Sequence, residues 1–351
     1  MVTAANGTVI AFAEGRVPKK TYGPWGDSHP MSIVCKRGSP QSDGRIDWSE
    51  SILVEDRAEP HEWGSPERVR LMNPDRDASA WGNPTPVVDR VTGRVFLFYC
   101  VKWGTGGDRS EQFPARVFYR HSDDHGMTWA PRVDLTYLYK DNPWGMVCGL
   151  PALGHGIQLR SQQGANAAKN GRMIVPAWHL TYGADEERLS MLRRFAAQGA
   201  AEYSKPAIQR LGSLSDEWKG GESKALSLIL SDDHGKTWRL GGTLCYGHEC
   251  RAAELVNGRL LFSIRTDGGK KDRAIAVSDD GGESLRLTDD AVDLTTIRIP
   301  ERGYLDQGLI RYAAKPEHAI NCLIWSAPQT SVNGDWARKL NAPTTRSIGG
   351  D

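Results

Sequence analysis

The octapeptide "SDDHGMTW" at residues 122–129 returns almost unchanged as "SDDHGKTW" at residues 231–238. A third copy, "SDDGGESL", occupies residues 278–285. In such a phrase the Ser and Asp side chains bond to the backbone of a tight turn, Gly supplies a positive φ, and Thr-Trp begins the returning strand. The phrase therefore predicts a hairpin turn whose Trp folds back on its own hairpin. Its recurrence predicts a structural unit that the chain repeats.

An apolar strand pattern runs directly into each copy, as "VFYRH", "LSLIL" and "AIAV". The second and third copies start at residues 231 and 278, which are 47 residues apart. Four-stranded propeller blades have a period of this order, so the spacing favours a β-propeller. The alternative is an ordinary β-sandwich with a coincidental turn motif, but two near-identical octapeptides make that coincidence improbable.

The rest of the chain has the same character. Short runs rich in Val, Ile, Phe and Tyr, such as "RVFLFYCVKW" and "RMIVPAWHL", follow hairpin-type turns such as "TGR" and "NGR". We therefore expect an all-β chain of many antiparallel hairpins, forming one domain over residues 1–351. The exception is residues 185–211, where Ala, Leu, Arg and Glu at helical spacings predict a helical insertion between strands.

Composition excludes several classes of function. Lys and Arg total 44 against 43 Asp and Glu, a net charge of +1, which argues against a nucleic-acid partner. We find no apolar stretch near the roughly 20 residues that span a bilayer, and no signal-peptide pattern. The six cysteines lack zinc spacing, so we expect neither a metal nor another cofactor. Cys245 and Cys250 could pair across a turn, which leaves the compartment open.

The repeated phrase resembles the Asp box of sialidases, and further segments resemble that family in the family's order. They are "IAFAEGR" (10–16), "GNPTPVVDRVTGRVFLFY" (82–99), "GHGIQL" (154–159), "GRMIVPAWH" (171–179) and "HECRAAELVNGRLLFSIR" (248–265). The resemblance covers nearly the whole chain outside the predicted helical insertion. It implies a six-bladed β-propeller that acts as an exo-α-sialidase on sialylated glycoproteins, glycolipids or oligosaccharides.

The resemblance also implies the site residues. It places the acid/base at Asp27 in "PWGDSHPMSIVCKR" and the acid that activates the nucleophile at Glu249 in "HEC". The remaining implied residues are the substrate-binding arginines Arg16, Arg265 and Arg338 and the supporting Glu14. Two alternatives stay open: Asp27 lies in a Gly/Pro/Trp loop where Asp is often a turn former, and Glu254 competes with Glu249 for its place in the motif.

These residue types suit the chemistry of the implied substrate. Sialic acid carries a carboxylate on its anomeric carbon, and the planar fork of Arg binds carboxylates bidentately. A carboxylate nucleophile would be repelled by that charge, and sialidases use a Tyr instead. Because a phenol has a pKa near ~10, a Glu base and nearby arginines are needed to make the Tyr nucleophilic.

The chain departs from the family at two places. No Arg-Ile-Pro phrase precedes Arg16, and Tyr304 and Tyr312 both come before Arg338, whereas the family's nucleophilic Tyr comes after it. We therefore expect an incomplete closing blade, and two hypotheses stand. The first is a retaining exo-α-sialidase; the second is a catalytically incomplete propeller that binds sialylated glycans without hydrolysis. The family suggests a secreted or lumenal protein.

Overall fold

The computed structural model describes residues 1–16, 31–56, 80–102, 116–139, 146–182, 222–244, 247–265, 274–287, 308–312, 322–327 and 344–349. These segments consist of strands joined by turns, with two short 3-10 helices at Thr136–Tyr139 and Gly164–Lys169. The predicted helical insertion at 185–211 lies outside the described residues, as do Asp27, Cys245 and Arg338.

The strands group into consecutive blades. The first blade contains β1 (Val2–Thr3), β2 (Val9–Arg16), β3 (Met31–Pro40), β4 (Ile46–Trp48) and β5 (Ile52–Glu55). The second contains β6 (Ala80–Val88), β7 (Val95–Lys102), β8 (Arg116–Ser122) and β9 (Val133–Asp134). The third contains β10 (Met146–Pro151), β11 (Ile157–Gln158), β12 (Met173–Tyr182), β13 (Glu222–Ser231) and β14 (Arg239–Leu244).

Two further blades follow within the described residues. The fourth contains β15 (Cys250–Glu254), β16 (Leu260–Ile264), β17 (Ala274–Ser278) and β18 (Arg286–Leu287). The fifth contains β19 (Gly308–Tyr312), β20 (Cys322–Ala327) and β21 (Thr344–Gly349). Within every blade, neighbouring strands pair antiparallel and mostly in chain order. Among the described strands, a single parallel pairing, between Met31 and Ala80, joins the first blade to the second.

The hydrophobic core lies between the blades because strand residues alternate in direction. On β7, Leu97 and Tyr99 join a cluster with Ile33 of the first blade. Phe96 and Phe98 of the same strand face the other way and join a cluster with residues of the third blade. A further cluster lies between the third and fourth blades. This stacking of twisted sheets face to face is the packing of a propeller.

Each Asp box lies between the third and fourth main strands of its blade and closes on itself. In the first, Ser122 Oγ accepts from the N–H of Gly126 over 2.8 Å, and Asp124 accepts from the Thr128 hydroxyl over 2.5 Å. The residue after the Asp has a positive φ, 58° at His125 and 64° at Gly281. The sequence prediction of the turn is confirmed, and the third copy places Gly where the first has a left-handed His.

The Trp of the box makes contacts beyond its own hairpin. Trp129 meets the ring of Phe12 in the first blade edge-on, with 5.6 Å between centroids. Trp238 meets Phe96 and Phe98 of the second blade at 5.5 Å and 4.8 Å. Each ring therefore reaches the preceding blade, and Trp238 also shares its cluster with Ile229 and Leu240 of its own hairpin, as predicted.

The box backbones also bind polar side chains of the preceding blade. Arg37 Nε donates to the carbonyl of His125 over 3.0 Å, and Arg172 Nη1 donates to that of Gly281 over 2.9 Å. His234 Nδ1 lies 3.0 Å from Oδ2 of the fully buried Asp89. The repeated motif thus forms a turn and also connects its blade to the preceding one.

The predicted fold class, an all-β propeller, is confirmed. The closing blade stays a prediction, since the described residues account for five blades. In the part of the chain that the structure describes, no helix is long and apolar enough to cross a bilayer.

Candidate functional site

A cavity of about 330 Å³ opens where four blades meet. It is lined by β2 of the first blade, the bulge in β6, the turn after β10 and the residue before β15. The lining residues are Phe12, Ala13, Glu14, Arg16, Pro84, Leu153 and Glu249. Two carboxylates and one guanidinium therefore share the cavity with apolar side chains, an arrangement suited to a small polar ligand with one apolar side.

Glu14 and Arg16 stand at the end of β2, two residues apart and hence on one side of the strand. Arg16 Nη2 donates to Glu14 Oε2 over 2.5 Å, and Arg16 Nε donates to the same oxygen over 3.1 Å. The Glu14 side chain is 11% exposed and that of Arg16 is 46% exposed. Glu14 thus holds the guanidinium at the cavity while leaving part of it open to a ligand.

Glu14 is itself anchored by the second blade. Its Oε1 accepts the backbone N–H of Asn83 over 3.0 Å. Asn83 has a φ of 58° at an irregularity of the β6–β7 pairing, and its side chain donates to the carbonyl of Pro151 over 2.8 Å. Asn tolerates this left-handed conformation better than most residues, which explains an Asn at this point of the strand. Asn83 thereby joins three blades beneath the cavity.

Glu249 lies opposite, directly before β15. Arg265 Nη1 donates to Glu249 Oε2 over 2.7 Å, and the backbone N–H of Arg265 donates to the carbonyl of Glu249 over 2.8 Å. The Glu249 side chain is 13% exposed and that of Arg265 is 26% exposed. Arg265 therefore orients the carboxylate of Glu249, and its own partly exposed guanidinium lies beside the cavity.

An aromatic pair lies behind Glu249. The ring of the buried His248 is tilted by 34° against that of Trp178, with 4.3 Å between ring centroids. Nδ1 of His248 lies 3.8 Å from Glu249 Oε2, too far for a hydrogen bond but close enough for a charge interaction if the ring is protonated.

Glu249 and Glu254 differ in their positions relative to the cavity. Glu254, at the other end of β15, is buried and accepts the backbone N–H groups of Arg160 and Ser161, each over 2.9 Å. It secures the fourth blade to the third and does not line the cavity. Glu249 is the acid that reaches the cavity.

The structure thus brings together four of the residues that the sequence singled out: Glu14, Arg16 and Glu249 line the cavity, and Arg265 contacts Glu249. Asp27 and Arg338 lie outside the described residues. Asn83, Leu153 and His248 were missed as contributors. The "GNP" phrase is the one signal that points to Asn83, since an Asn before a Pro inside a strand pattern indicates an irregular backbone.

The arrangement can bind an anion and move a proton. The partly exposed guanidinium of Arg16 offers N–H donors to a carboxylate in the cavity, and a largely buried carboxylate can accept a proton. Within the described part of the chain, no three His, Cys, Asp or Glu side chains are close enough to hold a metal ion.

The sequence matches the BNR repeat-like domain family over residues 42–304. It is 29% identical over 230 residues to the sialidase of Micromonospora viridifaciens, covering 63% of this chain and 29% of that protein. It is 30% identical over 297 residues to Sialidase-3 of Homo sapiens, covering 80% of this chain and 53% of the relative. The chain spans about half the length of the mammalian relatives it matches, or less.

Solved structures share the fold. The Hadza microbial sialidase superposes with a TM-score of 0.62 at 18% identity, covering 93% of this chain and 52% of that one. The leech intramolecular trans-sialidase in complex with 2,7-anhydro-Neu5Ac superposes with a TM-score of 0.56 at 16% identity, covering 94% and 55%. At these identities the likeness concerns the architecture of the blades.

Proposed function

This chain belongs to the sialidase family, among the proteins with a BNR repeat-like domain, and we propose that it is an exo-α-sialidase. It would hydrolyse terminal α-linked sialic acid from glycoproteins, glycolipids or oligosaccharides with retention of configuration. The observation that carries the proposal is the cavity that Glu14 and Arg16 of one blade share with Glu249 of another, where Arg16 is paired with Glu14 and Arg265 contacts Glu249.

The two arginines have the same task at the charged end of the substrate. Arg16 and Arg265 donate to the carboxylate of sialic acid, and Arg338 completes the set from a part of the chain outside the described residues. Charge-assisted pairs between Arg and carboxylate are strong and directional, so converging guanidinium groups fix both the position and the orientation of the sugar. Glu14 supports this by holding Arg16 in place.

The two acids have different tasks. Glu249 accepts the proton of the nucleophile, which in this family is a Tyr that the sequence does not identify, because attack by a phenolate avoids repulsion by the substrate's carboxylate. Arg265 donates to Glu249 over 2.7 Å and thereby orients its carboxylate. Asp27 protonates the departing glycosidic oxygen and then activates the water that releases the product.

The apolar part of the cavity completes the recognition. Phe12, Pro84 and Leu153 line it beside the charged groups. A monosaccharide has polar edges and apolar faces, and a cavity of about 330 Å³ lies at the small end of the range for ligand sites. It suits one terminal sugar, which agrees with an enzyme that acts from the chain end.

The test is release of a chromophore from an α-linked sialoside by the purified chain. Nuclear magnetic resonance of the first product shows whether the anomer is retained. Turnover that is lost in Glu249→Gln supports the proposal. The matched control is Glu254→Gln on the same strand, which removes an acid of the same type from a purely structural contact. It should lower the melting temperature while kcat per folded molecule stays unchanged.

Other results would redirect the assignment. Saturable binding of free sialic acid without turnover would favour the second hypothesis, a catalytically incomplete propeller that binds sialylated glycans. Neither binding nor turnover by a correctly folded chain would refute both. Loss of turnover in both variants, with Glu254→Gln still folded, would contradict the separation of roles between the two acids.

A further inference from the structure

The turn after β10 forms one wall of the cavity. Its backbone has a conformation that is unfavourable for most residues. Leu153 lines the cavity with a φ of 57°, and Gly154 follows with a φ of 106°. A branched side chain such as Leu is disfavoured in the left-handed region. Other groups must therefore hold the turn in place.

Arg251 supplies those contacts from the fourth blade. Its side chain is buried, and Nη1 donates to the carbonyl of Ala152 over 2.8 Å, to that of Leu153 in a short contact, and to that of Cys250 over 3.1 Å. Carbonyl groups of an irregular turn have no partner in a sheet, and each needs a donor when it is buried. The guanidinium provides donors for two successive carbonyls of the turn.

Gly154 makes room for this contact. A Cβ at position 154 would overlap Nε and Cζ of Arg251, so a side chain there would push the guanidinium away. The positive φ of Gly154 independently disfavours other residues. The turn thus accommodates Arg251 in two ways: the carbonyl of Leu153 accepts its hydrogen bond, and Gly154 leaves space for its side chain.

Arg251 lies two residues after Glu249. One short segment therefore carries Glu249, which lines the cavity, and Arg251, which holds the turn that forms another wall of the cavity. Arg251 does not line the cavity itself, whereas Leu153 and Glu249 both do. Its contact fixes how far the apolar wall of the third blade stands from the carboxylate of the fourth.

We propose that Arg251 is a positioning residue for the substrate: by holding the Ala152–Leu153 turn it sets Leu153 against the apolar side of the bound sugar. This rests on the proposed function. A residue that acts through the wall contributes equally to binding of the ground state and of the transition state, so its loss raises KM and leaves kcat nearly unchanged. It does not alter the protonation of the catalytic groups.

The test compares Arg251→Lys with wild type. Lys keeps the positive charge, but its shorter side chain does not carry a nitrogen to the place of Nη1, the atom that donates to both carbonyls. We expect hydrogen exchange of the amides at 152–156 to become at least about tenfold faster, because the turn opens more often. We expect KM to rise about tenfold, with kcat within about twofold and the pH profile of kcat unchanged.

The matched control is Arg172→Lys. Arg172 is equally buried and also donates to a backbone carbonyl of another blade, that of Gly281, but it lies at an Asp box and does not line the cavity. It should lose thermal stability while KM and exchange at 152–156 stay at wild-type values. A rise of KM in both variants would show a general loss of stability and overturn the proposal.

A second variant covers the case in which Arg251→Lys does not fold. Leu153→Ala removes the wall and leaves Arg251 in place; KM should rise several-fold, while an unchanged KM overturns the proposal. Unchanged exchange at 152–156 in a folded Arg251→Lys also overturns it. An inactive wild type would refute the proposed function. Because hydrogen exchange is measured without substrate, it would still show whether Arg251 holds the turn.

Discussion

Arg265 is tied to Glu249 twice, by its side chain over 2.7 Å and by its backbone N–H over 2.8 Å to the Glu249 carbonyl. The two residues belong to neighbouring strand ends, and the backbone bond places the side chains side by side before any substrate arrives. Little reorganisation is then needed when the carboxylate of the substrate approaches, and preorganisation of this kind is what strengthens charged contacts in a site.

Arg265→Lys should therefore impair binding more than folding. Lys can keep one contact to Glu249 but cannot also give a bidentate contact to a carboxylate. We expect kcat/KM for an α-sialoside to fall by about 100-fold, or ~2.7 kcal/mol, mostly through KM. Arg259→Lys is the control, since Arg259 makes an exposed pair with Asp279 at the other end of the same hairpin. Equal losses in both variants would contradict a specific role of Arg265.

The Asp boxes predict the behaviour of the protein in acid. Burial opposes ionisation of Asp124, but hydrogen bonds from Thr128, Ser122 and Met127 outweigh it and lower its pKa to about 2. Because the folded pKa lies below the usual value of 3.8, the carboxylate stabilises the fold above about pH 4, and that contribution is lost as the pH falls toward 2.

Asp124→Asn should lower the free energy of unfolding at pH 7 by about 1–3 kcal/mol, because the amide cannot accept the same set of hydrogen bonds. The difference from wild type should shrink between pH 4 and pH 2. The neighbouring Asp123→Asn is the control: Asp123 makes an exposed ion pair with Arg94, worth about 0–1 kcal/mol. Urea unfolding at several pH values measures both, and a pH-independent difference for Asp124→Asn would contradict the assignment.

The turn of the Asp box could be predicted from eight letters because its hydrogen bonds lie within four residues of each other. The same eight residues do not predict which part of the protein the Trp side chain contacts. Trp238 packs on Phe96 and Phe98, which are more than 130 positions away, and alternation along a strand tells which residues share a face but not which blade they meet.

The candidate site divides in the same way. Glu14, Arg16, Glu249 and Arg265 could be named from local phrases that resemble a family. Asn83 could not, because its role depends on contacts with Glu14 and Pro151, each nearly 70 positions away. Long-range contacts of this kind are fixed by the register of several sheets, and sequence patterns do not carry that register across an insertion.

Two substitutions of Asn83 distinguish the contribution of its side-chain hydrogen bond to stability from that of its positive φ. Asn83→Gly keeps the left-handed backbone and loses the bond to the Pro151 carbonyl, whereas Asn83→Ala loses the bond and also strains the backbone. We expect Ala to be less stable than Gly by about 1 kcal/mol, the cost of a non-Gly residue in this region. Equal midpoints of urea unfolding would contradict the strain argument.

The second consequence of Asn83→Ala concerns Arg16. A shift of the backbone at residue 83 moves the N–H that anchors Glu14 Oε1, and Glu14 in turn holds Arg16. KM for the sialoside should therefore rise in the Ala variant and stay near wild type in the Gly variant. A KM that changes equally in both would show that the Asn83 side chain, and not its backbone, supports the cavity.

His179 makes the third blade sensitive to acid. Its ring is fully buried, 6.0 Å from the ring of Tyr139, and within the described residues neither of its nitrogens has a hydrogen-bond partner. Burial lowers its pKa from 6.5 to about 3. Between these pH values the unfolded chain binds a proton that the folded chain excludes, so stability falls as the pH drops below about 6.5.

His179→Leu removes both the unsatisfied nitrogens and the titration. We expect its free energy of unfolding to equal or exceed that of wild type at pH 7, because an unpaired buried polar group costs about 1–3 kcal/mol. Below pH 6.5 the wild type should lose up to about 1.4 kcal/mol per pH unit relative to the variant. Urea unfolding at pH 7, 5.5 and 4.5 measures this divergence. Parallel loss of stability in His179→Leu and wild type would mean that the buried ring does not govern the response to acid.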